Sequence, residues 1–204
     1  MRSADPSLQA IVTSFAGAMK SLDHDAPVWT SDRTGKAYQP GIGPHPETET
    51  VKLVAGRLAS EQPSTYGTYE LGRPYPSAPR QKCDWTFGSP LSWAVEVKML
   101  RLMGDNGKPN DNMLMHILSP YPAHRSALTD VDKLAASGFD CHLAILIYGY
   151  DYPQWPMGPT IEAFEALAGR GPTYLSQRCS SSFGDLVHPV HKSGQVVAWE
   201  IGQT

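Results

Sequence analysis

The chain has 204 residues, of which 41% are hydrophobic and 18% are charged, and its formal net charge at pH 7 is −3. This length favours a single domain, and the hydrophobic fraction excludes a wholly disordered chain. The slightly negative charge excludes a protein that coats nucleic acid through bulk positive charge, but it leaves room for a local basic cleft. The sequence contains no apolar run near the roughly 20 residues that cross a bilayer.

The cysteines give information on the cellular compartment. Cys83, Cys141 and Cys179 are widely spaced and form no CxxC pair, so the sequence indicates neither a disulfide framework nor a structural zinc site. The N-terminal residues also lack the apolar segment of a signal peptide. We therefore expect a cytoplasmic protein that does not associate with membranes.

Helical periodicity marks two helices in the first third of the chain. The first helix presents Ile11, Val12 and Phe15 on one face, behind Asp5 as the expected N-cap. The second helix starts near residue 46 and ends before residue 63. Glu47 lies near the apolar stripe of this second helix, although its carboxylate also suits the positive end of the helix dipole.

The rest of the chain alternates strand-like and helical segments. Three strands are expected at 65–71, 80–87 and 91–102, followed by a mobile loop within 104–123, a helix at 126–137, a buried strand at 142–148, a helix at 159–168 and a strand pair at 187–190 and 195–201. This order predicts an α/β fold with a central mixed β-sheet flanked by helices.

Acidic and basic side chains are concentrated on two of the predicted strands. Residues two apart in a strand face the same side, so Glu96 and Lys98 project together while Val95 and Val97 face the opposite layer. If the strand that contains Asp84 pairs alongside, the two carboxylates approach each other and offer hard oxygen ligands to Mg²⁺. A metal ion there would polarise a phosphate and activate water, and Lys98 would orient or deprotonate that water.

The same residues also have simpler interpretations. Glu96 and Lys98 would form an ordinary ion pair if this strand face were solvated. Asp84 would then only cap a turn before Trp85.

This arrangement resembles the PD-(D/E)XK nuclease superfamily, which has a restriction-endonuclease-like fold. The resemblance covers about residues 46–151 and includes the order helix, three strands, helix and strand. It implies a single nuclease-like domain over residues 1–204, in which the first helix and the C-terminal strands are embellishments. Cys83 occupies the position of the proline that gives the family motif its name.

The resemblance assigns a role to each site residue. Asp84 and Glu96 match the metal ligands, helped by the Val97 carbonyl, Lys98 matches the catalytic lysine, and Glu47 looks like the supporting acid of the first core helix. The implied activity is that of a Mg²⁺-dependent deoxyribonuclease, a hydrolase of phosphodiester bonds in restriction, repair or phage defence. Mn²⁺ is the expected substitute, RNA is not excluded as a substrate, and a homodimer or a partner subunit is expected. The alternative is a non-catalytic nucleic-acid-binding or assembly subunit that retains the fold.

Basic side chains that follow the motif are candidates for phosphate binding, with the loop at 104–112 as a clamp. The same residues would otherwise be scattered surface charges. The candidates are Arg101, Lys108, His124 and Arg125.

Two further groups are predicted to have structural or interface roles. His188 and His191 lack additional metal ligands at a recognisable spacing, so a structural role is favoured. The aromatic residues around the end of the buried strand suggest contact with a second subunit or with nucleic acid. These are Tyr148, Tyr150, Tyr152 and Trp155. Asp130 and Lys133 have the spacing of a routine surface pair on a helix, and we expect no catalytic role for either.

Overall fold

Two parallel strands form the centre of the molecule. Strand β3 (Trp93–Leu100) pairs with β4 (His142–Tyr150) in register from Trp93–His142 to Leu100–Gly149. The structure, a computed structural model, describes residues 5–110 and 112–203. Residues 1–4, 111 and 204 of the predicted domain therefore lie outside the described residues.

The sheet extends from this pair in both directions. Within the described residues it has seven strands in the order β1-β2-β3-β4-β7-β5, with β6 also paired to β7. Only the β3–β4 pair is parallel, so the sheet is mixed, as predicted. The other strands are β1 (Tyr69–Pro74), β2 (Lys82–Phe87), β5 (Thr173–Leu175), β6 (Cys179–Phe183) and β7 (Gly194–Gln203).

Helices cover both faces of the sheet. The first two pack on one face, and the last two pack on the opposite face. This confirms the prediction of an α/β fold with a mixed sheet flanked by helices. Across the described ranges, no helix has the length and apolar character needed to cross a membrane. The helices are α1 (Leu8–Asp23), α2 (Glu47–Glu61), α3 (Pro63–Tyr66), α4 (Met115–Leu118), α5 (Ala127–Ala135) and α6 (Gly158–Ala168), with a 3-10 turn at Pro122–His124.

The alternation of β3 determines which side chains reach which layer. Val95 and Val97 pack with α1 and α2, whereas Glu96 and Lys98 lie on the side of α5. Glu96 is 1% exposed and Lys98 is 9% exposed. The alternative of a solvated strand face is therefore wrong, and these charged groups require buried partners.

The start of α1 differs from the prediction. Ser7 is the N-cap, because its hydroxyl accepts the N–H of Ala10 at 3.2 Å. Asp5 instead accepts a hydrogen bond from the Ser92 hydroxyl at 2.6 Å, and so connects the N-terminal segment to the start of β3.

The strand predicted at 187–190 is also wrong. There, side chains take the backbone N–H groups that a ladder would need: Asp23 accepts from Val187, and His188 accepts from Val190. The partner of β7 is the serine-rich β6, which has little apolar alternation to reveal it. The predicted loop at 104–123 contains α4 and the 3-10 turn.

The aromatic residues do not form the expected contact surface. Tyr148 and Tyr150 are fully buried and Tyr152 is 6% exposed, so these three belong to the core. Trp155 alone of this group is half exposed.

Removing the cap of α5 should destabilise the protein. Ser126 is fully buried, accepts the N–H of Thr129 at 3.2 Å and donates to the carbonyl of Ser119. We expect Ser126→Ala to lower the free energy of unfolding in urea by about 1–2 kcal/mol. Ser180→Ala, at an exposed position of β6, should change it by less than about 0.5 kcal/mol. Equal effects of the two substitutions would contradict this account of the cap.

Candidate active site

The candidate site begins where the ladder between β2 and β3 ends. The last paired residues are Trp85 and Val95. Beyond them, the N–H of Val97 has no strand partner on this side and donates instead to Asp84 Oδ2, at 2.9 Å. A carboxylate therefore takes the place of the next backbone acceptor.

The first residue of α2 repeats this substitution one step further along β3. The N–H of Met99 donates to Glu47 Oε2 at 2.6 Å. Alternate residues of a strand direct their N–H groups to the same side, so Asp84 and Glu47 both bind the freed edge of β3. The carbonyl of Val97 faces this edge as well, because the N–H and C=O of one residue point to the same side.

Glu96 lies beside this edge with partners from two other elements. The Tyr75 hydroxyl donates to Glu96 Oε1, and the Lys133 ammonium lies 3.3 Å from the same oxygen. Lys133 also lies over the Tyr75 ring, 5.4 Å from its centroid. All described polar contacts of Glu96 use Oε1, which leaves Oε2 for a ligand.

Asp130 of α5 joins the two lysines. Its Oδ2 lies 2.7 Å from Lys98 Nζ, and its Oδ1 lies 2.8 Å from Lys133 Nζ. Lys98 also lies 3.8 Å from Glu47 Oε1. A continuous set of polar contacts thus crosses the site from Tyr75 to Glu47.

The described acids at this site outnumber the lysines by two. Glu47, Asp84, Glu96 and Asp130 face the two ammonium groups of Lys98 and Lys133, and this excess equals the charge of one divalent cation. Burial raises the pKa of Glu47 to about 7 and that of Glu96 to about 7, and it also raises the pKa of Asp84.

The lysine at the centre stays charged. Burial opposes the charge on Lys98, but the nearby carboxylates of Glu47, Asp130 and Asp84 outweigh burial and raise the pKa of Lys98 above its usual value. A cationic Lys98 donates hydrogen bonds and attracts negative charge, but it does not accept a proton. Of the two predicted roles for Lys98, orientation of water fits this environment and deprotonation does not.

These groups line a cleft of about 1380 Å³. Its floor is acidic, and its rim carries exposed basic side chains from the β1–β2 connection and from the segment before α5. Arg80, Lys82 and Arg125 form no ion pair with any described residue. Their positive charge is therefore available to an anionic ligand.

The rim next to α5 is held in a fixed, strained conformation. Arg125 has φ 48° and ψ 47°, in the left-handed region that a non-glycine residue rarely adopts. Ser119 secures this turn, since its hydroxyl bonds His124 Nδ1 at 2.6 Å and its carbonyl accepts from Ser126. Strain of this kind persists where the surroundings fix the backbone, and it is frequent at functional sites.

The structure divides the predicted phosphate-binding residues into two pairs. His124 and Arg125 line the cleft, together with His116. Arg101 does not line it: its guanidinium donates to the Gly43 carbonyl at 2.7 Å. Lys108 is exposed outside the cleft, in the turn closed by the bond from the N–H of Gly104 to its carbonyl.

Three residues of the site were not predicted from the sequence. Asp130 and Lys133 had the spacing of a surface pair, yet Asp130 is 2% exposed and both contact the central charges. The burial of Val131 and Leu134 on the same helix face is the only signal that would have suggested it. Tyr75 follows β1 in an irregular segment and carries no sequence signal.

A second group of polar residues is a possible metal-binding cluster outside the cleft. The candidate ligand atoms of Asp105, His188 and His191 all lie within 4.8 Å of one another. This is the only such group of three among the residues described, so Glu47, Asp84 and Glu96 do not converge to that extent. Asp105 lies more than 80 positions before the histidines, and spacing could not have revealed it.

The histidine rings are arranged as a hydrogen-bonded network. They stack at 4.4 Å with an interplanar angle of 15°, so their in-plane lone pairs do not point at one shared position. His188 Nδ1 accepts the N–H groups of Val190 and His191, which places the ring proton on Nε2. His191 bonds Asp105 and Tyr152 at 2.8 Å each. These contacts tie the 104–108 turn to β4, in keeping with a structural role.

Comparisons with known proteins do not assign this site. No protein-family model matches the chain, and no curated protein or solved structure matches it. The assignment of the cleft therefore depends on its own residues.

Divalent cations should stabilise the protein in a pH-dependent way. Because the pKa values of Glu47 and Glu96 are raised, the folded state holds protons that the unfolded state has lost, and stability falls as pH rises from about 4.5 to about 7. Above this range the ionised carboxylates favour cation binding. Millimolar Mg²⁺ should therefore raise the melting temperature more at about pH 8 than at about pH 5.5.

Asp84→Asn is the matching variant for this measurement by differential scanning fluorimetry. It should abolish most of the Mg²⁺-dependent shift at the higher pH. A shift of equal size in the variant, or a larger shift at the lower pH, would refute cation binding in the cleft.

Proposed function

We propose that this protein is a metal-dependent deoxyribonuclease of the restriction-endonuclease-like type, with its active site in the cleft between β2, β3 and α5. The observation that carries the proposal is the freed edge of β3, where Asp84 and Glu47 bind backbone N–H groups beside Glu96 and Lys98. The order helix, three strands, helix and strand supports the same interpretation.

The donor set fits a magnesium ion. Asp84 Oδ1 and Glu96 Oε2 have no described hydrogen bond, and the Val97 carbonyl faces the same edge. Mg²⁺ prefers hard oxygen ligands and keeps several waters, so two carboxylates and a carbonyl suffice as protein ligands. The excess of two negative charges on the floor is compatible with one Mg²⁺, or with Mn²⁺ as a substitute.

Bound there, the ion would supply a polarised phosphate oxygen and a water of lowered pKa. The side chains of the chain perform the rest. Lys98 donates to the attacking water or to a phosphate oxygen and stabilises the negative charge that develops on the phosphate. Glu47, fixed by the N–H of Met99, supports Lys98 and accepts from water in the shell of the site.

The charge distribution favours a polyanionic substrate. An acidic floor takes up a cation, and the unpaired rim residues Arg80, Lys82 and Arg125 suit the phosphates that flank the cleaved bond. DNA is the proposed substrate, with RNA as the second polymer to be tested.

Removal of the central charges should abolish cleavage. We expect the wild type to cut supercoiled plasmid or single-stranded DNA in the presence of Mg²⁺ or Mn²⁺. Asp84→Asn and Lys98→Met should lower the cleavage rate by about 100- to 1000-fold. Asp185→Asn, which removes the same charge from an exposed position outside the cleft, should cut like the wild type. A wild type that binds DNA but cuts neither DNA nor RNA with either metal would instead support the non-catalytic binding subunit.

The rim should contribute to affinity through charge. Arg125→Gln should weaken the binding of labelled DNA several-fold, measured by fluorescence anisotropy without divalent cation. It should also reduce the slope of log K against log salt by about one. Lys108→Gln removes a charge of the same sign outside the cleft and should leave both quantities nearly unchanged. A larger effect at Lys108 would move the proposed DNA path away from the cleft.

A further inference from the structure

The floor of the cleft is crossed by a single series of charged contacts in which Asp130 is central. Lys98 comes from β3 and Lys133 from α5, and Asp130 contacts both ammonium groups at 2.7 Å and 2.8 Å. Each oxygen of Asp130 therefore has its own cation. No other described carboxylate lies that close to Lys98, since Glu47 is 3.8 Å away.

Burial makes this contact more than a surface ion pair. The side chain of Asp130 is 3% exposed and that of Lys98 is 11% exposed. Removing one partner of a buried pair leaves an uncompensated charge, which the structure relieves by moving the remaining side chain. The position of the Lys98 ammonium therefore depends on Asp130.

The same burial separates Asp130 from the substrate. Both of its oxygens are occupied by lysines, so it has none left for a metal ion or a phosphate. Helix α5 is itself fixed by the Ser126 cap and by the burial of Val131 and Leu134 against the sheet. Asp130 thus transmits the position of a rigid helix to a side chain of β3.

We propose that Asp130 is a positioning residue that holds the Lys98 ammonium in its productive place, and holds Lys133 against Glu96, without touching substrate or metal. This role rests on the proposed nuclease function, because it assigns a further residue to the same reaction. It extends the site from the strand motif to the face of α5.

Asp130→Asn tests the proposal with Asp132→Asn as its matched control. Asp132 is an exposed carboxylate on the same helix that lines the same cleft but contacts neither lysine. Asp130→Asn keeps the size of the side chain and removes its charge. We expect kcat to fall by about 10- to 100-fold, with KM and the Mg²⁺ concentration for half-maximal rate within about twofold of the wild type. Asp132→Asn should leave all three quantities within about twofold.

Other outcomes for Asp130→Asn would overturn the proposal. A large increase in the required Mg²⁺ concentration would make Asp130 a metal ligand, and a rise in KM alone would make it a substrate contact. An unchanged kcat would show that the position of Lys98 does not depend on it.

A second measurement does not require activity. In a ¹H–¹⁵N spectrum of the lysine ammonium groups, Lys98 of the wild type should give a signal in slow exchange with water, assigned by its loss in Lys98→Arg. This signal should persist in Asp132→Asn and disappear in Asp130→Asn. Fast exchange of Lys98 in the wild type would overturn the proposal even if Asp130→Asn did not fold. A protein that shows the signal but cuts no nucleic acid would contradict the nuclease function and leave the Asp130 contact intact.

Discussion

The candidate site depends on the point at which β2 stops pairing with β3. After the Trp85–Val95 pair, backbone N–H groups of β3 remain without a strand partner, and a buried donor without an acceptor is costly. The carboxylates of Asp84 and Glu47 meet this need. The same bonds that complete the edge of the sheet therefore fix two acids, each with its second oxygen directed to the cleft or to Lys98.

Charge is arranged around this edge in two zones. The floor holds more carboxylates than lysines, and burial shifts the pKa values of Glu47 and Glu96 toward neutrality, so the site gains from a cation. The rim holds exposed basic residues without described partners, among them Arg125 in its strained turn. A negative floor inside a positive rim suits a cation below and a polyanion above. This complementarity gives the cleft a physical basis for phosphodiester chemistry.

Much of the strand motif could be predicted, because alternation in a strand is a local property. Glu96 and Lys98 share a face, and Glu47 begins a helix, as their spacing indicated. The roles of Asp130 and Lys133 could not be predicted, since the same spacing describes a surface pair and a buried bridge equally well. Arg101 shows the reverse error: it follows the motif closely in sequence, yet its guanidinium points to the Gly43 carbonyl.

The sequence by itself determined the main helices and the central strands, and with them the mixed α/β class, because hydrophobic periodicity and turn residues act over a few positions. It missed β6, whose serines carry no such periodicity. Only the tertiary structure decided which charges meet. The divergence of β2 from β3 opened the edge, and the packing of α5 brought Asp130 to Lys98 across 32 positions of sequence. Contacts of that kind depend on how elements pack against each other, which local spacing does not encode.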